Sequence, residues 1–234
     1  MKKTLLLMAV SAALVPAFAE TIIEKSPDGL NEIRLITEPS LQYAVYRDGV
    51  ELIAPTTISM TFKEKGTIGG KNLLKKPKVL ANEHGSRNAV LETPCYKKAK
   101  VDDNGNETTV TFEGGWQVVL HARNDGVAYR FETKFPGKMT VNCEKAPVTL
   151  PAKDTRCWVN FTGNFGQEES RPQSLAAADV RTVETTEKSW RGHDMAYLPF
   201  AYSVGGKFVA VTESDVRDYP IWNFHSTEGN ADGV

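Results

Sequence analysis

The stretch that decides the fold is Glu107-Thr108-Thr109-Val110-Thr111-Phe112, then Glu113-Gly114-Gly115, then Trp116-Gln117-Val118-Val119-Leu120-His121-Ala122-Arg123, then Asn124-Asp125-Gly126, then Val127-Ala128-Tyr129-Arg130-Phe131-Glu132. Its three longer segments are rich in β-branched and aromatic residues, and short glycine-containing turns punctuate them. Neighbouring strands joined this tightly have no room for crossover helices, so they pair antiparallel. Trp116 alternates with Val118 and Leu120 and is therefore expected in the core.

The same grammar extends outward. Asn31 to Ile36 follows Ser26-Pro27-Asp28-Gly29, and Leu41 to Tyr46 precedes Asp48-Gly49. Alternation of Ile33 with Leu35, and of Leu41, Tyr43 and Val45, gives each strand one buried face, while Asp-Gly supplies the positive φ of a tight hairpin. Beyond Cys157 the pattern is less regular, then strands return at Ala196 to Tyr202 and Lys207 to Thr212, with Gly205-Gly206 as the turn between them. Helical periodicity has little support. The predicted class is all-β, a large antiparallel β-sandwich.

At the N-terminus, Lys2 and Lys3 lead into Leu5 to Val10 and on through Pro16 to Ala17-Phe18-Ala19, the basic, apolar and small-residue regions of a secretory signal. Residues 1–19 read as that signal and residues 20–234 as the domain, with a periplasmic or secreted location. The apolar run is shorter than the roughly 20 residues needed to span a membrane, so no span is expected after cleavage. Loss of Lys2 and Lys3 takes the 28 basic side chains to 26 against 29 acidic ones, a formal charge of −3. Nothing in that balance resembles the basic footprint of a nucleic-acid binder, and the local lysines from Lys63 to Lys78 sit among glycines and Pro77 as a solvated loop would. Of the 3 cysteines, Cys143 and Cys157 are close enough in sequence for a disulfide in an oxidising compartment, though sequence cannot show that their Cβ atoms meet.

Glu213 stands out chemically. A core-like strand, Phe208 to Val211, precedes it and the turn Ser214-Asp215 follows, so a carboxylate at a strand end can offer hard oxygen to calcium; an ordinary solvated acid is the plain alternative. Asp215 and Asp218 lie nearby but do not make the alternating calcium-loop pattern. Trp190, Arg191, His193 and Trp222 are candidates for contacting carbohydrate, by ring stacking and hydrogen bonding, and equally read as a solvent loop. No triad, metal-binding histidine spacing or phosphate-cradling loop is present in the sequence.

Taken in order, Ser26-Pro27-Asp28-Gly29, Leu41 to Tyr46 with Asp48-Gly49, Arg123-Asn124-Asp125-Gly126-Val127-Ala128-Tyr129-Arg130-Phe131, and Thr212-Glu213 through Asp218-Tyr219-Pro220 resemble the N-terminal domain of family 97 glycoside hydrolases, a group containing secreted bacterial α-glucosidases and α-galactosidases. The resemblance implies a supersandwich of the galactose-mutarotase type, packed in the complete enzyme on a following (β/α)8 catalytic barrel. It also implies that Glu213 is the domain's ligand to an active-site calcium, that the catalytic carboxylates belong to the barrel, and that the substrate is an oligosaccharide. No βα repeats follow in this sequence, so the domain is expected to be incomplete at its C-terminus and inactive alone. The rival expectation is a stand-alone carbohydrate-binding or structural β-sandwich protein.

Overall fold

The computed structural model describes residues 21–70, 77–94, 97–151, 155–162, 172–177 and 195–214. Among these the strands are β1 (Thr21–Lys25), β2 (Asn31–Ile36), β3 (Gln42–Arg47), β4 (Val50–Thr57), β5 (Ser59–Phe62), β6 (Gly66–Gly69), β7 (Val79–Glu92), β8 (Lys100–Phe112), β9 (Trp116–Arg123), β10 (Gly126–Thr133), β11 (Val141–Lys145), β12 (Arg156–Thr162), β13 (Gln173–Ala176), β14 (Met195–Val204) and β15 (Lys207–Val211). They pair antiparallel throughout. No α-helix occurs among the described residues, so the all-β expectation holds.

The strands form four sheets, ordered β1-β2-β3-β4, β10-β9-β8-β7, β11-β5-β6 and β13-β12-β14-β15. Most sequence neighbours pair through short turns that suit antiparallel geometry, whereas β11 with β5 and β12 with β14 pair across longer separations. Asp48 (φ 51°) and Gly49 (φ 73°) both take positive φ between β3 and β4, and Gly205 and Gly206 do the same between β14 and β15. The turn between β9 and β10 is made by Asn124-Asp125 without positive φ, and Gly126 already belongs to β10, paired with Arg123.

The first sheet packs across the second. Ile22 of β1 with Ile33 and Leu35 of β2 meet Val118, Leu120 and Ala122 of β9 and Phe131 of β10 in one buried cluster. β9 is central, and Trp116 is buried at its start as predicted, stacked on Phe112 across the Glu113-Gly114-Gly115 turn with ring centroids 4.1 Å apart. The fourth sheet joins the same core through Cys157, Val159, Phe200 and Tyr202. The buried Tyr202 hydroxyl donates to the Leu52 carbonyl at 2.7 Å, which ties β14 to β4. Burial pushes the pKa of this phenol upward, so it stays protonated and remains a donor.

β7, unanticipated from sequence, pairs with β8 from end to end. β9 stops pairing with β8 at Gly105, opposite Arg123, so the far part of β7 and β8 continues as a two-stranded ribbon. Asp103, at the ribbon's base, is buried between two guanidinium groups, an ion pair from Arg87 and another from Arg123 at 2.8 Å. The Cys143–Cys157 disulfide weighed above is not formed. Cys143 lies exposed on β11, whereas Cys157 is buried in β12, where desolvation pushes its thiol up to about 11. Cys95 lies outside the described residues.

Tyr202→Phe keeps the ring and deletes the donor, leaving a buried carbonyl unpaired. The expected loss is about 1–3 kcal/mol of unfolding free energy, read as a lower urea midpoint at unchanged slope; an unchanged midpoint would mean that this bond does not tie the two sheets.

Candidate functional site

Glu213 follows β15 by two residues, and its position is set by the ladder beneath it. β15 pairs with β14 from Lys207 opposite Val204 to Val211 opposite Phe200, and β14 is held in turn by β12. Val209 and Val211 pack against the core, whereas Phe208 and Ala210 are exposed. The alternation continues past the strand, with Thr212 and Ser214 exposed and Glu213 half-buried. Glu213 therefore lies on the side of the sheet that carries Val209 and Val211, a sheltered position for a carboxylate. The same register corrects one sequence expectation. Phe208 is 68% exposed instead of buried, because a strand whose two faces are both apolar does not declare which one turns inward.

The other motifs gather elsewhere. Asn31 sits nearly buried at the start of β2; its Nδ2 donates to the Arg123 carbonyl at 2.7 Å, and its Oδ1 accepts from Arg47 Nη1 at 2.5 Å. The backbone N–H of Asp28 donates to Asn124 Oδ1 at 3.0 Å, and that of Asp48 donates to the Leu30 carbonyl at 2.8 Å. Ser26-Pro27-Asp28-Gly29, Asp48-Gly49 and Arg123-Asn124-Asp125-Gly126, far apart in sequence, thus interlock at one end of the molecule. Within the first of them, the Ser26 hydroxyl donates to Asp28 Oδ1 at 2.5 Å and the Leu30 N–H to the same oxygen at 3.0 Å. These bonds, the Ser26 one foremost, hold the Asp28 carboxyl below its ordinary pKa. Lys207, where β15 begins, pairs with Asp48 at 3.5 Å. Six residues of extended chain, roughly 20 Å, separate it from Glu213, so the carboxylate emerges at the opposite end from the interlocked turns.

A family model described as "Glycosyl-hydrolase 97 N-terminal" matches residues 25–234. The chain belongs to this family. The family 97 N-terminal domain described here is 27% identical over 231 residues to a retaining alpha-galactosidase of Bacteroides thetaiotaomicron, a match covering 97% of this chain and 34% of that protein. Among solved structures it is similar to a glycoside hydrolase family 97 enzyme from Pseudoalteromonas sp. strain K8, in complex with acarbose, with TM-score 0.74 and 19% identity over 89% of this chain and 31% of that one. It is also similar to a beta-arabinopyranosidase, with TM-score 0.70 and 19% identity over 83% of this chain and 32% of that one. At such identities these likenesses speak to the fold. The domain spans about a third of the length of each.

Trp190, Arg191, His193 and Trp222 lie outside the described residues, as do Asp215 and Asp218. No cluster of three or more His, Cys, Asp or Glu side chains suited to a metal occurs among the described residues. Sequence reasoning missed two groupings. Trp158 and Phe208 form an outward aromatic pair with centroids 5.4 Å apart, and Glu24 is a buried carboxylate that accepts from Thr108 Oγ1 at 2.5 Å and lies 2.8 Å from His84 Nδ1. Strand order and packing between sheets bring these residues together, so no local motif could have found them.

A depressed native pKa contributes stability that is present above the ordinary aspartate value and lost as pH falls through the native one. Ser26→Ala is therefore expected to raise the Asp28 pKa toward the usual aspartate range and to lower stability at neutral pH while flattening its fall in acid. Carboxyl NMR titration together with urea midpoints across acid pH measures both; an unmoved Asp28 titration would remove Ser26 as the cause.

Proposed function

We propose that this domain is the non-catalytic N-terminal part of a secreted or periplasmic, calcium-dependent α-glycosidase. In this reading it adopts the galactose-mutarotase-like supersandwich, packs on a (β/α)8 catalytic barrel and contributes Glu213 to calcium during hydrolysis of α-glucosides or α-galactosides. The observation that carries the reading is the family match over residues 25–234, which aligns the chain with about a third of a retaining alpha-galactosidase.

The residue fits the ion. A calcium site needs hard, anionic oxygen, and Glu213 offers a carboxylate that is half-buried two residues beyond the β14–β15 ladder. Calcium, when bound, supplies a positive charge able to orient a sugar oxygen at the reacting centre. This chain's part is to hold one ligand in place. Protonating the leaving group and attacking the anomeric carbon take a pair of carboxylates around the sugar, and we assign neither to this domain.

A second reading is favoured by the Trp158–Phe208 pair. Phe208 is 68% exposed on the outer face of β15, and an open aromatic face is what a sugar ring stacks on, so a stand-alone carbohydrate-binding protein would use it.

The intact mass of the native protein, recovered with an antibody to this domain, separates the two. The enzyme reading expects a species far above 25.8 kDa, in which Glu213→Gln weakens calcium binding, followed calorimetrically, by about 10-fold or more. A native mass near that of the leaderless domain would sink it, and saturable glycan binding abolished by Phe208→Ala would then establish the second reading.

A further inference from the structure

Among the described residues, the outer edge of β7 is a long strand edge with no partner strand. The strand is 14 residues long and ends its sheet, pairing with β8 on one side and with no strand among the described residues on the other. Nearly all of it is exposed, including Leu80 (57%), Val90 (58%) and Leu91 (43%). A long unpaired edge is a template for another strand unless proline, charges, a bulge or a short length blocks it; β7 carries Glu83, Arg87 and Glu92 and one irregularity between Val79 and Ala81, so a partner strand must answer those charges. Proline is absent from β7.

The sequence of this edge states what would pair with it. Read outward from Gly85, it has matching chemistry in both directions. His84 and Ser86 are polar, Glu83 and Arg87 carry opposite charges, Asn82 matches Asn88, and Ala81 matches Ala89. Further out, Leu80 answers Val90, Val79 answers Leu91, and Lys78 just before the strand answers Glu92. In an antiparallel pair related by a twofold axis through Gly85, each residue faces its counterpart in the other copy, so every one of these matches becomes a cross-strand contact. Other registers lose them. Moving the axis to His84 sets Arg87 against Ala81 and Leu80 against Asn88, and Glu83 then faces Gly85.

We propose that the edge of β7 is a homodimer interface, in which two copies pair antiparallel about Gly85 and join their four-stranded sheets into one continuous sheet. The geometry leaves room for this. A Cβ added at Gly85 would meet nothing within 4 Å, so the axis position is open. Glu83 has no ion pair among the described residues, and Arg87 meets Asp103 through Nε, which leaves its terminal nitrogens as donors for Glu83 of the second copy. The ladder with β8 is regular from Ala81 to Glu92, and the irregularity between Val79 and Ala81 falls at the margin of the interface. The ribbon also projects beyond β9, so part of the edge stands clear of the body of the domain.

Sedimentation velocity on residues 20–234 is expected to show a concentration-dependent monomer–dimer equilibrium. Glu83→Lys, which sets like charges opposite each other twice per dimer, is expected to weaken it about 10-fold with an unchanged far-ultraviolet circular dichroism spectrum. In a Cys143→Ser background, Gly85→Cys is expected to be cross-linked between chains by a short bis-maleimide far more readily than Leu80→Cys, whose counterpart is Val90. A monomer at every attainable concentration would overturn the proposal, as would a dimer indifferent to Glu83→Lys and cross-linked no better at position 85 than at position 80.

Discussion

The side chain of Asn31 is the tie on which the arrangement of the first two sheets depends. It is nearly buried, so its amide must be satisfied within the protein, and it bonds outward in two directions, to the Arg123 carbonyl at the end of β9 and to Arg47 at the end of β3. An apolar contact between β2 and β9 tolerates sliding; two directional bonds at one end do not. With that end fixed, the alternation along β2 places Ile33 and Leu35 against β9, and a shift of one residue would turn both outward. The bonds of Asp28 to Asn124 and of Asp48 to Leu30 brace the same corner.

This explains which parts of the molecule could be read from sequence. The β8–β9–β10 meander, the burial of Trp116 and the β14–β15 hairpin follow from local rules: period-two alternation, turn residues with positive φ, and connections too short for anything but antiparallel pairing. Phe208 was misjudged because β15 is apolar on both faces, and the choice between faces is made by β14 and the core beneath it. β7 escaped notice because Asn82 to Asn88 carries polar and charged residues and a glycine, which read locally as loop; its strand character comes from pairing with β8. Cys143 and Cys157, close in sequence, are separated because one strand faces solvent and the other the core.

Of the candidate site, the sequence singles out one carboxylate and the structure adds its surroundings. Glu213 could be singled out as a carboxylate at a strand end. Its sheltered orientation could not, since that depends on the β15 register and on the side of the sheet that carries Val209 and Val211. The aromatic and cationic residues around Trp190 and Trp222 lie outside the described residues, and the pattern around them specifies neither a strand nor a face.

The motifs that resemble family 97 therefore divide into two kinds of work. Three of them are turns whose backbone and side-chain bonds close on one another at one end of the sheets, where they fix register and leave little capacity to bind anything else. The fourth carries Glu213, which stands at the opposite end of β15. The last ladder pair of β15 is Val211 with Phe200, two residues before Glu213. At the other end of the strand Lys207 pairs with Asp48, and Gly205 packs so closely on Val50 that a Cβ there would approach its Cγ1 to 2.5 Å. The interlocked turns therefore anchor the end of β15 remote from Glu213, and the ladder carries that register along the strand.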